Sequence, residues 1–292
     1  MRVILACAAA AVTFAVPAAA QAQRPQIETK KVDGTEGVYI FRNGNHQSMF
    51  VVTDAGVIAT DPISYGRPQA AVTYVDEIKK VTNKPIKYLI YSHHHYDHAA
   101  GGKPFKDAGA KIVAHKNATA RLKVLKDPAT PAPDESVGDK RVLKLGGTTL
   151  ELHHVGRNHS DSSLVMFLPK EKIIFAVDWN SLGAVPSRLA VNDSYPTEWE
   201  ESLKKTLALK WERQIPGHPG PNDRLGTRAD MEQQLAFMSE LSESVKKAAD
   251  EGKCFDPAAK EVRAPKYATL AGYEQNIEWL THRWCGYWGR GI

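Results

Sequence analysis

Ser92-His93-His94-His95-Tyr96-Asp97-His98 is the stretch that decides how this chain is read. It follows directly on Ile86 to Tyr91, a short apolar run that reads as a strand. A chain leaving a sheet at that point presents its side chains to a crevice. Imidazole and carboxylate together suit Zn²⁺, whose catalytic sites keep one position open for water. With an extended backbone, His93 and His95 point the same way and His94 the other. After a turn, Asp97 and His98 can serve a second ion nearby. So many polar groups packed into one tight loop are tolerable when metal charge is there to pair with them.

Three more polar residues stand at strand exits further along. His159 follows a strand in Val155-Gly156-Arg157-Asn158-His159-Ser160, and Asp178 ends the apolar run Ile173 to Val177. His218 sits in the tight turn Ile215-Pro216-Gly217-His218-Pro219-Gly220. Strand exits are where α/β folds place their sites.

The elements around these motifs alternate in type. Val38 to Arg42, Ser48 to Thr53 and Gly56 to Thr60 are β-rich runs separated by Gly-containing turns. Arg67 to Thr82 reads as an amphipathic helix with Ala71, Val75 and Ile78 on one face. The spacing then predicts a strand at Lys111 to Ala114, a helix at Asn117 to Lys126, and a loop broken by Pro128, Pro131 and Pro133. Strands are expected at Arg141 to Leu145, Thr148 to Val155, Ser163 to Leu168 and Lys172 to Val177. Thr197 to Leu209 is a helix candidate, with Thr197 as N-cap and Glu200 completing a capping box, and Arg228 to Glu251 is a long one. A layered α/β arrangement with helices outside is the natural solution.

The ordered set H-x-H-x-D-H, an isolated His, an Asp at a strand end and a final His in a Gly-His turn resembles the metallo-β-lactamase superfamily. The likeness spans roughly Val38 to Gly220. It implies an αββα sandwich, two mixed β-sheets face to face with helices on the outer faces. It also implies two zinc ions: one held by His93, His95 and His159, the other by Asp97, His98 and His218, with Asp178 bridging both. Exported metallo-β-lactamases proper carry Cys or Ser where this chain has Asp178. The bridging Asp looks like the glyoxalase II, lactonase and broad hydrolase branches.

Two metals about 3.5–4 Å apart share a water and lower its pKa, so the resemblance implies a bridging hydroxide that attacks a carbonyl carbon. Asp97 would be the catalytic group that orients or relays the proton. No serine nucleophile is required, and the sequence has no G-x-S-x-G elbow. The expected substrate is a small carbonyl compound: a lactone, ester, thioester or β-lactam. Two other readings stand beside this one, a mononuclear iron oxygenase of the sulfur dioxygenase kind and a non-catalytic periplasmic metal-binding protein.

Other residues receive plainer readings. His94, His115, His153 and His154 read as structural, and His282 as packing in the aromatic tail. His46 lies in a hairpin turn that could overhang the site, and Asp61 is a candidate support for a ligand histidine. Trp179, Leu182 and Tyr195 are candidates to line the cleft or to cover the surface.

Arg2, the apolar run Val3 to Val16, Pro17 and Ala18 to Ala20 have the layout of a signal peptide, with cleavage after Ala20 or Ala22. This gives a leader over residues 1–22 and one domain over 23–292, with a core at about 38–220 and a C-terminal helical region at 224–292. The mature chain is expected in the periplasm or medium, with no stable membrane insertion once the leader is removed. Export leaves Cys254 and Cys285 as an even pair, a disulfide or two buried thiols. The 292 residues carry a formal charge of +5, spread along the chain. No basic stripe with interleaved aromatics is present, so nucleic acid is not an expected partner.

Overall fold

The computed structural model describes residues 26–292; the leader expected at 1–22 lies outside the described residues. Seven strands form the first sheet in sequence order: β1 (Ile27–Lys31), β2 (Val38–Asn43), β3 (His46–Thr53), β4 (Gly56–Thr60), β5 (Ile86–Ile90), β6 (Lys111–His115) and β7 (Glu135–Val137). β1 to β4 pair antiparallel, and the pairs from β4 to β7 are parallel. The parallel half needs crossovers, which α1 (Ala70–Val81), α2 (Tyr96–Ala99), α3 (Lys103–Asp107) and α4 (Lys116–Leu125) provide.

The second sheet runs in the order β12-β11-β10-β9-β8, from β8 (Lys140–Leu145), β9 (Thr148–His153), β10 (Val165–Leu168), β11 (Ile173–Ala176) and β12 (Arg213–Pro216). Its only parallel pair is β11 with β12, crossed by α5 (Pro196–Leu207). The chain continues through α6 (Arg228–Asp250), α7 (Asp256–Glu261) and α8 (Tyr273–Arg290).

Side-chain alternation turns this order into layers. In β4, Ile58 faces the other sheet, while Val57 and Ala59 face α1. In β11, Ile173 and Phe175 point between the sheets, and Ile174 and Ala176 point at the outer helices. Strands apolar on both faces have to be covered on both faces, which two sheets with outer helices achieve. Three apolar layers result: α1, α3 and α4 on the first sheet, sheet against sheet, and α5 to α8 on the second. Each fully buried Leu, Ile or Phe contributes about 1.5–3 kcal/mol through removal from water. The expected αββα sandwich is what the chain forms.

Some local expectations need correction. α5 begins at Pro196 with Tyr195 as its N-cap and no side-chain cap, so Thr197 and Glu200 do not form a capping box. Pro196 is pre-set for the first helical position and has no N–H to satisfy, which moves the start ahead of Thr197. The capping box belongs to α6, where Thr227 and Asp230 cap each other's backbone. α1 starts at Ala70, not Arg67, because Ser64 Oγ takes the Ala71 N–H (2.9 Å) and holds the preceding residues in turns.

Cys254 and Cys285 are joined, with Cα atoms 5.4 Å apart. The bond ties the segment after α6 to α8. Closing a loop of 31 residues is worth about 3–4 kcal/mol on the chain-entropy account. A Cys254→Ala/Cys285→Ala protein should unfold at lower urea, with ΔG reduced by about 3 kcal/mol. An unchanged midpoint under oxidising conditions would contradict this.

Candidate metal centre

The ligand loop is built by a change of backbone. After β5 the chain bends over Ser92 to His94 and is extended at His95 (φ −66°, ψ 140°), and the His93 and His95 rings converge with centroids 4.6 Å apart. It then turns into α2, which brings Asp97 and His98 round to the same crevice. His94 points away, its Nδ1 near the Ser160 and Ser162 hydroxyls at 3.1 and 2.9 Å. His159 comes from the loop between β9 and β10, Asp178 from the end of β11, and His218 from the end of β12. Asp178 itself has a left-handed backbone (φ 66°). Gly217 is needed for close approach: a Cβ there would lie 2.5 Å from Val177 Cγ1 and 3.0 Å from His98 Cε1.

All seven sequence-predicted positions meet at one place, with Asp178 in the middle. Its Oδ2 lies 3.2 Å from His98 Nε2, 3.5 Å from His93 Nε2 and 3.6 Å from His159 Nε2. Its Oδ1 lies 3.1 Å from His218 Nε2. His95 Nδ1 and His159 Nε2 are 2.8 Å apart, and Asp97 Oδ2 is 3.7 Å from His98 Nε2. Ligand atoms about 2.0–2.1 Å from a tetrahedral ion stand roughly 3.3–3.4 Å from one another, so the spacings around Asp178 are those of coordination edges.

Burial makes the same case. His93, His98 and the Asp178 side chain are almost wholly enclosed. Yet His93 Nε2, His98 Nε2 and Asp178 Oδ1 have no hydrogen-bond partner of good geometry. Leaving such groups unpaired costs about 1–3 kcal/mol each, and more when charged. These residues therefore fit metal ions. Burial holds His93 well below the ordinary imidazole range, with His95 beside it adding to the effect. Burial also opposes charge on His98 and Asp178. Their mutual attraction outweighs it, holding His98 up and Asp178 well down. For Asp97, burial pushes the carboxyl up, but the His46 hydrogen bond and the His98 charge hold it down at about 2. Asp97 is thus an anion across the working pH range.

Each of the five histidines in the predicted set has its other ring nitrogen against an oxygen. His93 Nδ1 meets Ser92 Oγ (2.9 Å), and His98 Nδ1 faces Asp61 Oδ2 (3.4 Å). His159 Nδ1 donates to the Ala190 carbonyl (2.7 Å), and His218 Nδ1 to that of Asn45 (2.5 Å). His95 is reversed: its Nε2 faces Asp193 Oδ2 at 3.0 Å, leaving Nδ1 for the centre. Such outer partners fix ring tautomer and orientation. Asp61, wholly buried, also takes the Ser92 N–H on Oδ1 (2.7 Å), so it braces the loop and the His98 ring at once.

Asp193 and Ala190 were not legible as site residues; they lie in an irregular segment with no motif. The structure also draws His46 in: ligand atoms of His46, Asp97, His98 and His218 lie within 4.8 Å of one another, as do those of His93, His95 and His159. A third such group is His94, His95 and Asp193. His115 and His154 stack on each other away from the cleft (4.0 Å between rings).

The centre opens into a cleft of about 820 Å³. Beyond the metal-facing groups its walls include Tyr65, Tyr96, Leu182, Val185 and Leu189. Leu182 therefore lines the cleft as one of the two readings had it. Trp179 lies in the core, its carbonyl taking the Trp199 indole N–H (2.7 Å), and Tyr195 packs under Arg157. The wall from Gly183 to Ser194 is gripped by the C-terminal region. Val185 N–H donates to the Ala271 carbonyl, Ala271 N–H to that of Gly183, and Arg188 N–H to Asn276 Oδ1. Arg283 donates to the Ser194 carbonyl.

A family model described as the metallo-beta-lactamase superfamily matches residues 42–218, the span that carries the centre. The chain is 27% identical to a 2,4-dinitroanisole O-demethylase subunit alpha of Nocardioides sp. (strain JS1661), over 71% of this chain and 62% of that protein. It thus spans less than two thirds of that relative's length. It is 22% identical to a metallo-beta-lactamase type 2 of Elizabethkingia meningoseptica, over 62% of this chain and 73% of the other. Among solved structures, a metallo-beta-lactamase from Pontibacter korlensis superposes with a TM-score of 0.61 at 19% identity, covering 73% of this chain and 99% of the other. The sec-alkyl sulfatase PisA1, as a double mutant, gives 0.71 at 15% identity, covering 90% of this chain and 50% of the other. Both likenesses are of fold.

The outer partners carry their own prediction. Asp61→Asn turns an amide N–H toward the His98 ring or the Ser92 N–H, and should weaken metal binding about 10–100-fold in a chelator competition. Asp193→Asn, at a half-exposed carboxylate, should cost less. Affinity unchanged in Asp61→Asn would mean that Asp61 does not support the centre.

Proposed function

Since the chain belongs to the metallo-β-lactamase superfamily, we propose that it is an exported metal-dependent hydrolase holding two zinc ions and cleaving a small carbonyl compound. Asp178 carries the reading, because its carboxylate stands between the two proposed sets: Oδ2 lies within 3.6 Å of His93 and His159 of the one and of His98 of the other, and Oδ1 meets His218. His93 Nε2, His95 Nδ1 and His159 Nε2 would hold one ion, and Asp97, His98 Nε2 and His218 Nε2 the other. Such a pair of ions supplies Lewis acidity and a water of lowered pKa. Asp97, ionised and open to the cleft, is placed to orient that water and receive its proton. The apolar walls would take the hydrocarbon part of a lactone, ester, thioester or β-lactam.

A β-lactam is the least supported of these, since Asp178 stands where exported metallo-β-lactamases proper carry Cys or Ser. The likeness to a 2,4-dinitroanisole O-demethylase subunit adds aryl ethers to the compounds worth testing. The signal-like layout of Arg2, the apolar run Val3 to Val16 and Ala18 to Ala20 supports export, and the Cys254–Cys285 bond agrees with an oxidising compartment.

Metal analysis of the mature protein tests this directly. Wild type should carry two zinc ions, and Asp97→Ala and His218→Ala should fall towards one. Asp178→Ala should lower kcat/KM on the best ester or lactone by about 10³-fold, the scale of several kcal/mol of transition-state charge stabilisation. A single iron with oxygen consumption on a persulfide would replace this reading by the oxygenase one. Tight metal binding without turnover would replace it by a binding role.

A further inference from the structure

His46 opens β3 beside the hairpin turn Gly44-Asn45 and lines the cleft next to Asp97 and His218. Its Nε2 is 3.4 Å from Asp97 Oδ2, and its ring centroid is 4.4 Å from that of His218. By distance alone it is a fourth ligand for the second ion. Its other nitrogen contradicts that. His46 Nδ1 lies 2.7 Å from Arg67 Nη1. A guanidinium has donors and no acceptor, and it stays charged in proteins. Nδ1 must therefore bring the lone pair to this contact, and the ring proton sits on Nε2, pointing into the site.

The contrast with the ligand set is direct. The five ligand histidines turn their outer nitrogen to an oxygen, which leaves a lone pair for a cation. His46 turns its outer nitrogen to a donor, which leaves an N–H. To ligate through Nε2 as a neutral imidazole, it would have to carry a proton on Nδ1 against the Arg67 N–H. Arg67 is itself fixed, its Nε donating to the Ile63 carbonyl (3.1 Å).

We propose that Arg67 locks His46 as its Nε2–H tautomer, making it a positioning residue that holds Asp97 by hydrogen bond and not a ligand of the second ion. The inference rests on the two-metal reading for what Asp97 does, but the tautomer itself does not depend on it. One hairpin turn then steadies two neighbouring groups, His218 through the Asn45 carbonyl and Asp97 through the His46 N–H.

Long-range ¹H–¹⁵N spectra of the zinc-loaded wild-type protein test the tautomer without any substitution. His46 should show an unprotonated Nδ1 and a protonated Nε2, and Arg67→Met should release that pattern. Zinc content should stay at the wild-type value in both His46→Gln, which keeps an N–H near the same place, and His46→Phe, which does not. On a neutral chromogenic aryl ester, His46→Phe should lose about 10–100-fold in kcat with KM within twofold, and His46→Gln should recover most of the loss. A metal-bound Nε2 in the spectrum, or one zinc fewer in His46→Phe, would overturn the proposal. So would equal losses in the two variants. Failure of the two-metal reading shows separately, as a wild-type zinc content other than two.

Discussion

A carboxylate enclosed among imidazoles, with its charge unpaid by ordinary hydrogen bonds, is the constraint around which this molecule is arranged. Asp178 lies within 3.6 Å of four histidine nitrogens, and several of these atoms have no hydrogen-bond partner of good geometry. Taking charges out of water costs several kcal/mol per ion unless opposite charge meets them. Cations supply that charge, and the protein's task is then to keep lone pairs aimed inward. It does so with a second ring of oxygens from Ser92, Asp61, Asp193, Ala190 and Asn45. The left-handed backbone of Asp178 and the bare Cα of Gly217 are local concessions to the same crowding.

The two-sheet architecture makes such convergence possible. His93 to His98 leave the end of β5 in the first sheet, and Asp178 and His218 leave β11 and β12 in the second. The apolar interior between the sheets fixes the distance between these strand ends. Residues far apart in sequence are therefore held at coordination spacing by packing that involves none of them.

This division explains what could be read in advance. The metal-site loop was legible because its residues are chemically unusual and sit next to an apolar run; β4 and β11 were legible because burial on both faces leaves almost nothing but apolar residues. β1 was not, since Ile27–Lys31 is an edge strand of largely exposed side chains with little pattern to follow. The capping box was assigned to Thr197 because the motif is local, whereas the proline before it decided where α5 starts. Asp193 and Ala190 escaped because their roles depend on tertiary placement of an irregular segment. His46 was visible as a residue near the site, but its tautomer depends on Arg67, a neighbour in space that spacing does not reveal.

The grip of the C-terminal region on the cleft wall ties two kinds of change together. The candidate ligands all fall within the span shared with the superfamily, whereas the wall from Gly183 to Ser194 is pinned by Ala271, Asn276 and Arg283, which lie beyond it. That same wall carries Ala190 and Asp193, which orient His159 and His95, so substitutions in the tail reach the reactive centre as well as what the cleft admits. Selectivity and reactivity are therefore coupled through one stretch of backbone that the tail holds in place.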